Sequence, residues 1–487
     1  MNRLQSNTLR ALAAVAFAVG VAHAQQPEPW KQIPTPPLHA FKPTEPTRFE
    51  LPNGVTVFLE EDHELPFISG FIRVRGGSRD EPAAKVGLVS LYGETWRTSG
   101  SAQATGDALD DSLAAKAASI ETGGGGAATS VSWSSFAKDF DGVFASSMDL
   151  LLHPAFQQAK LDLAKRSAVS GILRRNDDAS SIADREAVEI AYGRTNPYGR
   201  EPEIATVSAV SLDDLKAWHD RTVDGKNLIV GVIGDFDPKV MEQKIRAAFE
   251  PIPAGTKLVT AKINFAEPKP GIYFANKGDV DQSNLFLVGL GTQEDNPDFY
   301  ALSVMNEVFS GGFGSRVVQS VRTKLGLAYA VGGSFGAAYD HPGLFIVDAG
   351  TKSVSTVPAA KAVLEELGKL RTDPPTEAEL RRAKDDLLNS FIFRYDSPEK
   401  VLNEQVTLAV YGYPPDFLER YRAGVEKVTS ADVARVAQKY VQPEKMAIVV
   451  LGNTPEIYPP LSGLGKVTTL DITIPGAPKR PGGPPQE

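Results

Sequence analysis

The 487-residue sequence predicts an α+β fold of two homologous halves, each a mostly antiparallel sheet with helices packed on it. Three observations carry this. The chain repeats itself: Val210-Ser211-Leu212-Asp213-Asp214-Leu215, Val223 and the strand-like run Leu228 to Gly234 recur as Val428-Thr429-Ser430-Ala431-Asp432-Val433, Val441 and Met446 to Gly452, at a constant offset of 218. Each copy reads as a helix opened by a hydroxyl N-cap, followed by a hydrophobic strand ending in glycine. Just upstream, Ala191-Tyr192-Gly193 and Val410-Tyr411-Gly412 mark the same place in the two copies. Strand and helix periodicities alternate within each half rather than segregating. Finally, 42% hydrophobic and 23% charged residues give an ordinary globular chain with ample core.

In chain order, residues 1–24 read as an export signal. Arg3 and Arg10 are basic, Ala11 to Ala22 is an apolar run, and Ala22-His23-Ala24 has the small-x-small form of a cleavage site. Cleavage after Ala24 takes the formal charge from −9 to −11, and the product is expected outside the cytoplasm, in a bacterium in the periplasm. Residues 25–47 form a Pro-rich tether. The first half, 48–255, opens with a hairpin around Asn53-Gly54. It continues with an alternating strand from Ile68 to Val74 and helices over 86–96, 109–118 and 144–152. Gly123 to Gly126 reads as a loop and Val131 to Trp133 as a strand. A linker at 256–270 leads to the second half, 271–470, and residues 471–487 form a Pro/Gly-rich tail. Ser397-Pro398-Glu399 reads as an N-cap with Pro at the first helical position.

Composition narrows the chemistry. The chain has no Cys, which excludes disulfides, thiolate zinc sites and a Cys nucleophile. Of six His, the closest two are 16 apart, so no helix turn carries a His pair. His63, His153, His219 and His341 are each expected at the surface, in turns or on an amphipathic helix. The negative charge argues against nucleic acid as a partner, and no apolar run beyond the signal suits stable membrane insertion. No phosphate-binding Gly motif occurs.

From Arg48 to Gly452 the sequence resembles the pitrilysin/insulysin peptidases. This is the inverzincin group that includes mitochondrial processing peptidase and short bacterial relatives. The resemblance rests on Leu51 to Val57 and Arg75-Gly76-Gly77-Ser78-Arg79-Asp80-Glu81 in the first half. In the second half it rests on Asp281-Gln282, Asn296 to Ala301, Phe309 to Arg316 and Arg322 to Tyr329. The family fold pairs two α+β halves into a half-chamber. Active members carry His-x-x-Glu-His on the helix after the second strand, two imidazoles holding zinc and the Glu activating water. Here Ser90 stands for the first His, Gly93 for the base and Glu94 for the second His. A later helix, Arg166 to Ile172, lacks the expected third ligand. The resemblance therefore implies no metal in this chain.

It also implies a role for Arg322 and Tyr329. In active members such a pair holds the substrate backbone and donates a hydrogen bond to the attacked carbonyl oxygen. Leu327, Tyr329 and Val331 alternate, so Tyr329 also suits a core strand, and Arg322 suits a solvated helix end. Phe309 to Arg316 reads as a helix C-cap with Gly at φ > 0. The zinc-less subunit of the processing peptidase uses such a loop to touch substrate. Gln282 is a further possible substrate contact. Together these readings imply a non-zinc subunit of an exported peptidase. It would pair with a zinc-bearing pitrilysin-type subunit that hydrolyses peptides, and be inactive alone. The alternative is an inactive structural or peptide-binding scaffold of the same fold.

Overall fold

The structure, a computed structural model, describes residues 45–478. The chain divides into Met1–Lys42 and Pro43–Glu487, and the described residues all lie in the second unit. The expected signal, most of the tether and residues 479–487 lie outside them.

The first half runs β1 (Thr47–Glu50), β2 (Thr56–Glu61), β3 (Phe67–Arg75), α1 (Leu88–Ser99), α2 (Gly106–Ala114), β4 (Ser119–Gly124) and β5 (Ala128–Phe136). It continues with α3 (Phe140–Leu152), α4 (Gln158–Arg174), α5 (Ala179–Tyr192), α6 (Ile204–Ser208), α7 (Leu212–Thr222), β6 (Leu228–Gly234) and α8 (Pro238–Phe249). The second half runs β7 (Gly271–Asn276), β8 (Gln282–Leu290), β9 (Thr292–Gln293), α9 (Phe299–Ser310), β10 (Ala330–Phe335), β11 (Ala337–Ala338) and β12 (Leu344–Lys352). Then come α10 (Thr356–Thr372), α11 (Glu377–Phe391), α12 (Pro398–Tyr411), α13 (Phe417–Lys427), α14 (Ser430–Tyr440), β13 (Ala447–Gly452) and β14 (Val467–Thr469).

The repeat is built as its residues dictate. Ser211 and Thr429 cap α7 and α14, each hydroxyl accepting from the N–H of Asp214 or Asp432, whose carboxylate reaches back to the cap backbone. Such reciprocal boxes satisfy two free donors at a helix start. The strands that follow, β6 and β13, lie inside their sheets. The sheet orders are β1-β2-β6-β3-β5-β4 and, reversed, β14-β7-β13-β8-β12-β10. In both, the late strand runs parallel to the first long strand and antiparallel to the next. The outermost strand differs: β1 is antiparallel to β2, and β14 parallel to β7.

One face of each sheet packs on its own helices over a large core. The other face receives a helix from the opposite half. In α12, Leu402 and Val406 pack on Phe58, Phe71 and Ile229 of the first sheet. In α5, Ala187 and Ala191 pack on Val288, Ala447 and Val449 of the second. These are the helices that end in Tyr192-Gly193 and Tyr411-Gly412, so the repeat is also an exchange. Arg75 donates to the carbonyls of Ala409, at 2.9 Å, and Val410, placing a cation on the negative end of α12. Arg79, from the same motif, pairs with Asp340 of the second half. Leu470, Ile472 and Ile474, beyond β14, also pack on apolar clusters, and the Ile472 carbonyl accepts from Asn176. Among the described residues no helix is long and apolar enough to cross a membrane.

Candidate functional site

Helix α1 carries the positions of the zinc motif. Its spacing puts Ser90 and Glu94 on one exposed face, one turn apart, while Gly93 is buried. The burial is tight. A Cβ at Gly93 would stand 2.7 Å from the nitrogen of Gly124 and 2.8 Å from the carbonyl carbon of Gly123. In return, a Cβ at Gly124 would stand 2.4 Å from the Val89 carbonyl oxygen. Backbone therefore lies on backbone between α1 and β4. The Thr122 hydroxyl donates to the Gly93 carbonyl and accepts from the Arg97 N–H, bridging two groups that a regular helix pairs directly. The glycine run predicted as a loop is a strand over Gly123 and Gly124, because β4 needs glycine where α1 crosses it.

No carboxylate-bearing side chain fits at Gly93 without moving α1 off β4. Ser90 and Glu94 offer one hydroxyl and one carboxylate, and Ser170 and Gly171 on α4 add no carboxylate. Among the described residues no group of three or more His, Asp or Glu is arranged to hold a metal ion. The residues present do not fit zinc.

The histidine expectations need correction. His219 is 7% exposed, within the core of α1 and α7, its Nδ1 2.9 Å from the Tyr92 hydroxyl. Its neighbours are the rings of Trp96 and Phe156. Burial pushes its pKa down to about 4. Leu215, Trp218, His219 and Thr222 form the helix's buried stripe. His341 is also largely enclosed, stacked 3.7 Å from the Tyr198 ring, and burial, then Arg79, lowers its pKa to about 4. His63 stays exposed between Glu61 and Asp235, and the His153 side chain is exposed beside Asp149.

In the second half, the structure brings Arg322, Tyr329 and Phe313 together. Helix α9 ends at Gly311, whose N–H bonds the Glu307 carbonyl, and Gly312 takes φ +63°, the left-handed turn that glycine permits. The far foot of this loop is pinned by Arg316. Its guanidinium makes two bonds to Glu379, at 2.7 and 3.0 Å, and holds that carboxyl near 2. Phe313, at the tip between these anchors, is 72% exposed. Val318–Lys324 then forms a π-helical turn with Val318 and Val321 buried, a form frequent at functional positions. Gly326, at φ +62°, ends it.

Arg322, in this turn, lies 5.0 Å from the Phe313 ring centroid and 5.6 Å from that of Tyr329. Tyr329 is 82% exposed, so it is not a core residue. It precedes β10, its N–H bonded to the Gly350 carbonyl at 3.0 Å, with Ala328 and Val331 buried on either side. Gln282 is the first, exposed residue of β8, opposite Lys352 on β12. Tyr329 is exposed and Arg322 half-buried, and among the described residues neither the guanidinium nor the phenol has a hydrogen-bond or ion-pair partner, so both can donate to a carbonyl. Phe313 was missed in the sequence, because only the loop's fold turns it toward Arg322.

Comparison with known proteins supports the same fold. Residues 209–387 match the family described as Peptidase M16 inactive domain. The uncharacterized zinc protease SCO5738 of Streptomyces coelicolor is 25% identical over 297 residues, 60% of this chain and 64% of its own. The match thus spans less than two thirds of that relative's length. The non-peptidase homolog YmxG of Helicobacter pylori is 23% identical over 408 residues, 82% of this chain and 92% of its own. A solved peptidase M16 inactive domain from Pseudomonas fluorescens superposes with a TM-score of 0.76 at 24% identity, covering 84% of this chain and 98% of that one.

Proposed function

This chain is a relative of the M16, pitrilysin-type peptidases with a catalytically inactive form of their fold, and we propose that it is the non-zinc subunit of an exported peptidase. The observation that carries the reading is the contrast between the halves: α1 is closed to a catalytic carboxylate at Gly93, while Arg322 and the exposed Tyr329 stand adjacent. A separate zinc-bearing pitrilysin-type chain supplies metal, water and base. This chain supplies wall and donors. The Tyr329 phenol donates to the oxygen of the attacked peptide carbonyl, where charge develops, and the Arg322 guanidinium holds a neighbouring backbone carbonyl. One preorganised donor of this kind is worth roughly 3–4 kcal/mol. Export to a bacterial periplasm is supported by the residue pattern at 1–24.

The test is co-purification of the tagged chain from its host and a search of the bound proteins for His-x-x-Glu-His. The isolated chain should cleave no peptide, and the complex should do so in a chelator-sensitive way. Arg322→Ala and Tyr329→Phe should each lower turnover by about 10²-fold. Unchanged turnover in the Tyr329→Phe complex would sink the assigned role. A complex inactive with and without chelator would leave the scaffold reading standing.

A further inference from the structure

The outward face of the first sheet is half-buried where it runs past α12, at Arg73, Ser130, Ser132 and Ser134. Along β3 the residues Ile68, Ile72 and Val74 enter the core, so Ser69, Phe71, Arg73 and Arg75 face the other way. Helix α12 covers Phe58, Phe71 and Ile229, and Arg75 is taken up by the carbonyls at its end. Beyond α12 the face continues over β5, where Val131 and Trp133 point inward and Ser130, Ser132 and Ser134 outward. Arg73 sits at this border, in register with Ile229 on one side and Ser130 on the other.

Arg73 is partly buried, with its guanidinium 5.0 Å from the Phe71 ring centroid. It makes no ion pair or hydrogen bond among the described residues. Burial alone disfavours its charge, with no carboxylate opposing that effect. The hydroxyls of Ser130 and Ser132 likewise find no partner there, whereas Ser69 and Ser134 bond each other at 2.9 Å. On the edge strand β4, two strands from Arg73, Glu121 is in register with Ser132. A partly desolvated cation without a counter-charge costs stability that a ring contact only partly offsets. In a chain of formal charge −9, an uncompensated cation facing idle hydroxyl donors is complementary to an anion.

We propose that this half-buried strip binds an extended acidic peptide, one carboxylate seated on Arg73 with Ser130 and Ser132 donating to it. An extended chain presents every second side chain to a sheet, which suits a strip whose own outward residues repeat at that period. The proposal rests on the peptide-handling reading above for its occupant, but uses none of the residues that reading assigns. It gives the chain a preference among peptides that Arg322 and Tyr329, which address backbone carbonyls, do not supply.

The experiment uses the purified full chain and two labelled unstructured peptides of equal length, one with spaced Glu residues and one with Gln in their place. Anisotropy should show the Glu peptide binding about tenfold more tightly at low ionic strength, with most of the difference lost in about 0.5 M salt. Arg73→Gln should abolish the difference without lowering the melting temperature, since it removes an unpaired cation. Arg73→Lys should retain part of it. Arg322→Ala should weaken both peptides alike, and this arm reads the peptide-handling proposal separately. Equal binding of the two peptides by the wild-type chain, discrimination that survives Arg73→Gln, or binding of neither peptide would overturn the inference. Discrimination intact with no effect of Arg322→Ala would overturn only the earlier reading.

Discussion

Gly93 decides what the first half can do. Loss of the metal motif was legible in the sequence because helix geometry fixes the ligand spacing, and Ser90, Gly93 and Glu94 occupy those places. What the sequence hid is that the loss is built into the packing. Gly93 and Gly124 let two backbones meet, a tertiary contact that no local pattern announces. The variant Ser90→His/Gly93→Glu/Glu94→His should therefore fail to gain zinc, although it restores the motif. Ser90→His/Glu94→His alters only exposed positions and should fold normally. Adding Gly93→Glu should cost a further 1–3 kcal/mol or so, the usual effect of overpacking. Metal analysis and urea unfolding of the two variants check this, and stoichiometric zinc in the triple variant would show that α1 can move off β4.

Contacts between elements were legible where chemistry sits at the element's own end and obscure where it depends on a neighbour. Ser211, Thr429 and Ser397 cap helices as their spacing predicts. The α1–α7 contact was not foreseen, because a histidine on an amphipathic stripe suits surface or core. Its burial makes the contact pH-sensitive. His219 titrates near 4 in the folded chain and about 6.5 when unfolded, so protons favour unfolding. Its contribution is complete above about pH 6.5 and falls as pH drops toward 4, by roughly 2 kcal/mol between pH 6.5 and 5. His341 acts in the same direction. Glu294 acts oppositely: burial raises its carboxyl to about 7, so protonation in the window from about 7 down to 4.5 favours the folded state. Urea unfolding at about pH 7 and pH 5 should show a shallower acid loss in His219→Asn and a steeper one in Glu294→Gln. Equal slopes in all three proteins would remove the assignment.

At the scale of the whole molecule, the repeat was legible because caps and central strands demand particular residues at fixed spacing. The exchange of α5 and α12 was not. Tyr192-Gly193 and Tyr411-Gly412 mark the two helices as equivalent, but an apolar helix face does not say whose sheet it covers. That exchange has a thermodynamic consequence. Leu402 belongs to the second half in sequence, yet it is fully buried on the first half's sheet beside Phe58, Phe71 and Ile229. The described tryptophans, Trp96, Trp133 and Trp218, all lie in the first half's core. Leu402→Ala should thus remove about 2–5 kcal/mol from an interface shared by both halves. Tryptophan fluorescence should follow the loss although no tryptophan is near the sequence position changed. Because each half closes the other's sheet, fluorescence and far-ultraviolet circular dichroism should move together to a lower urea midpoint in one transition. If the tryptophan midpoint stayed fixed while dichroism split into two steps, the halves would be folding independently and the exchanged helices would be mere contacts.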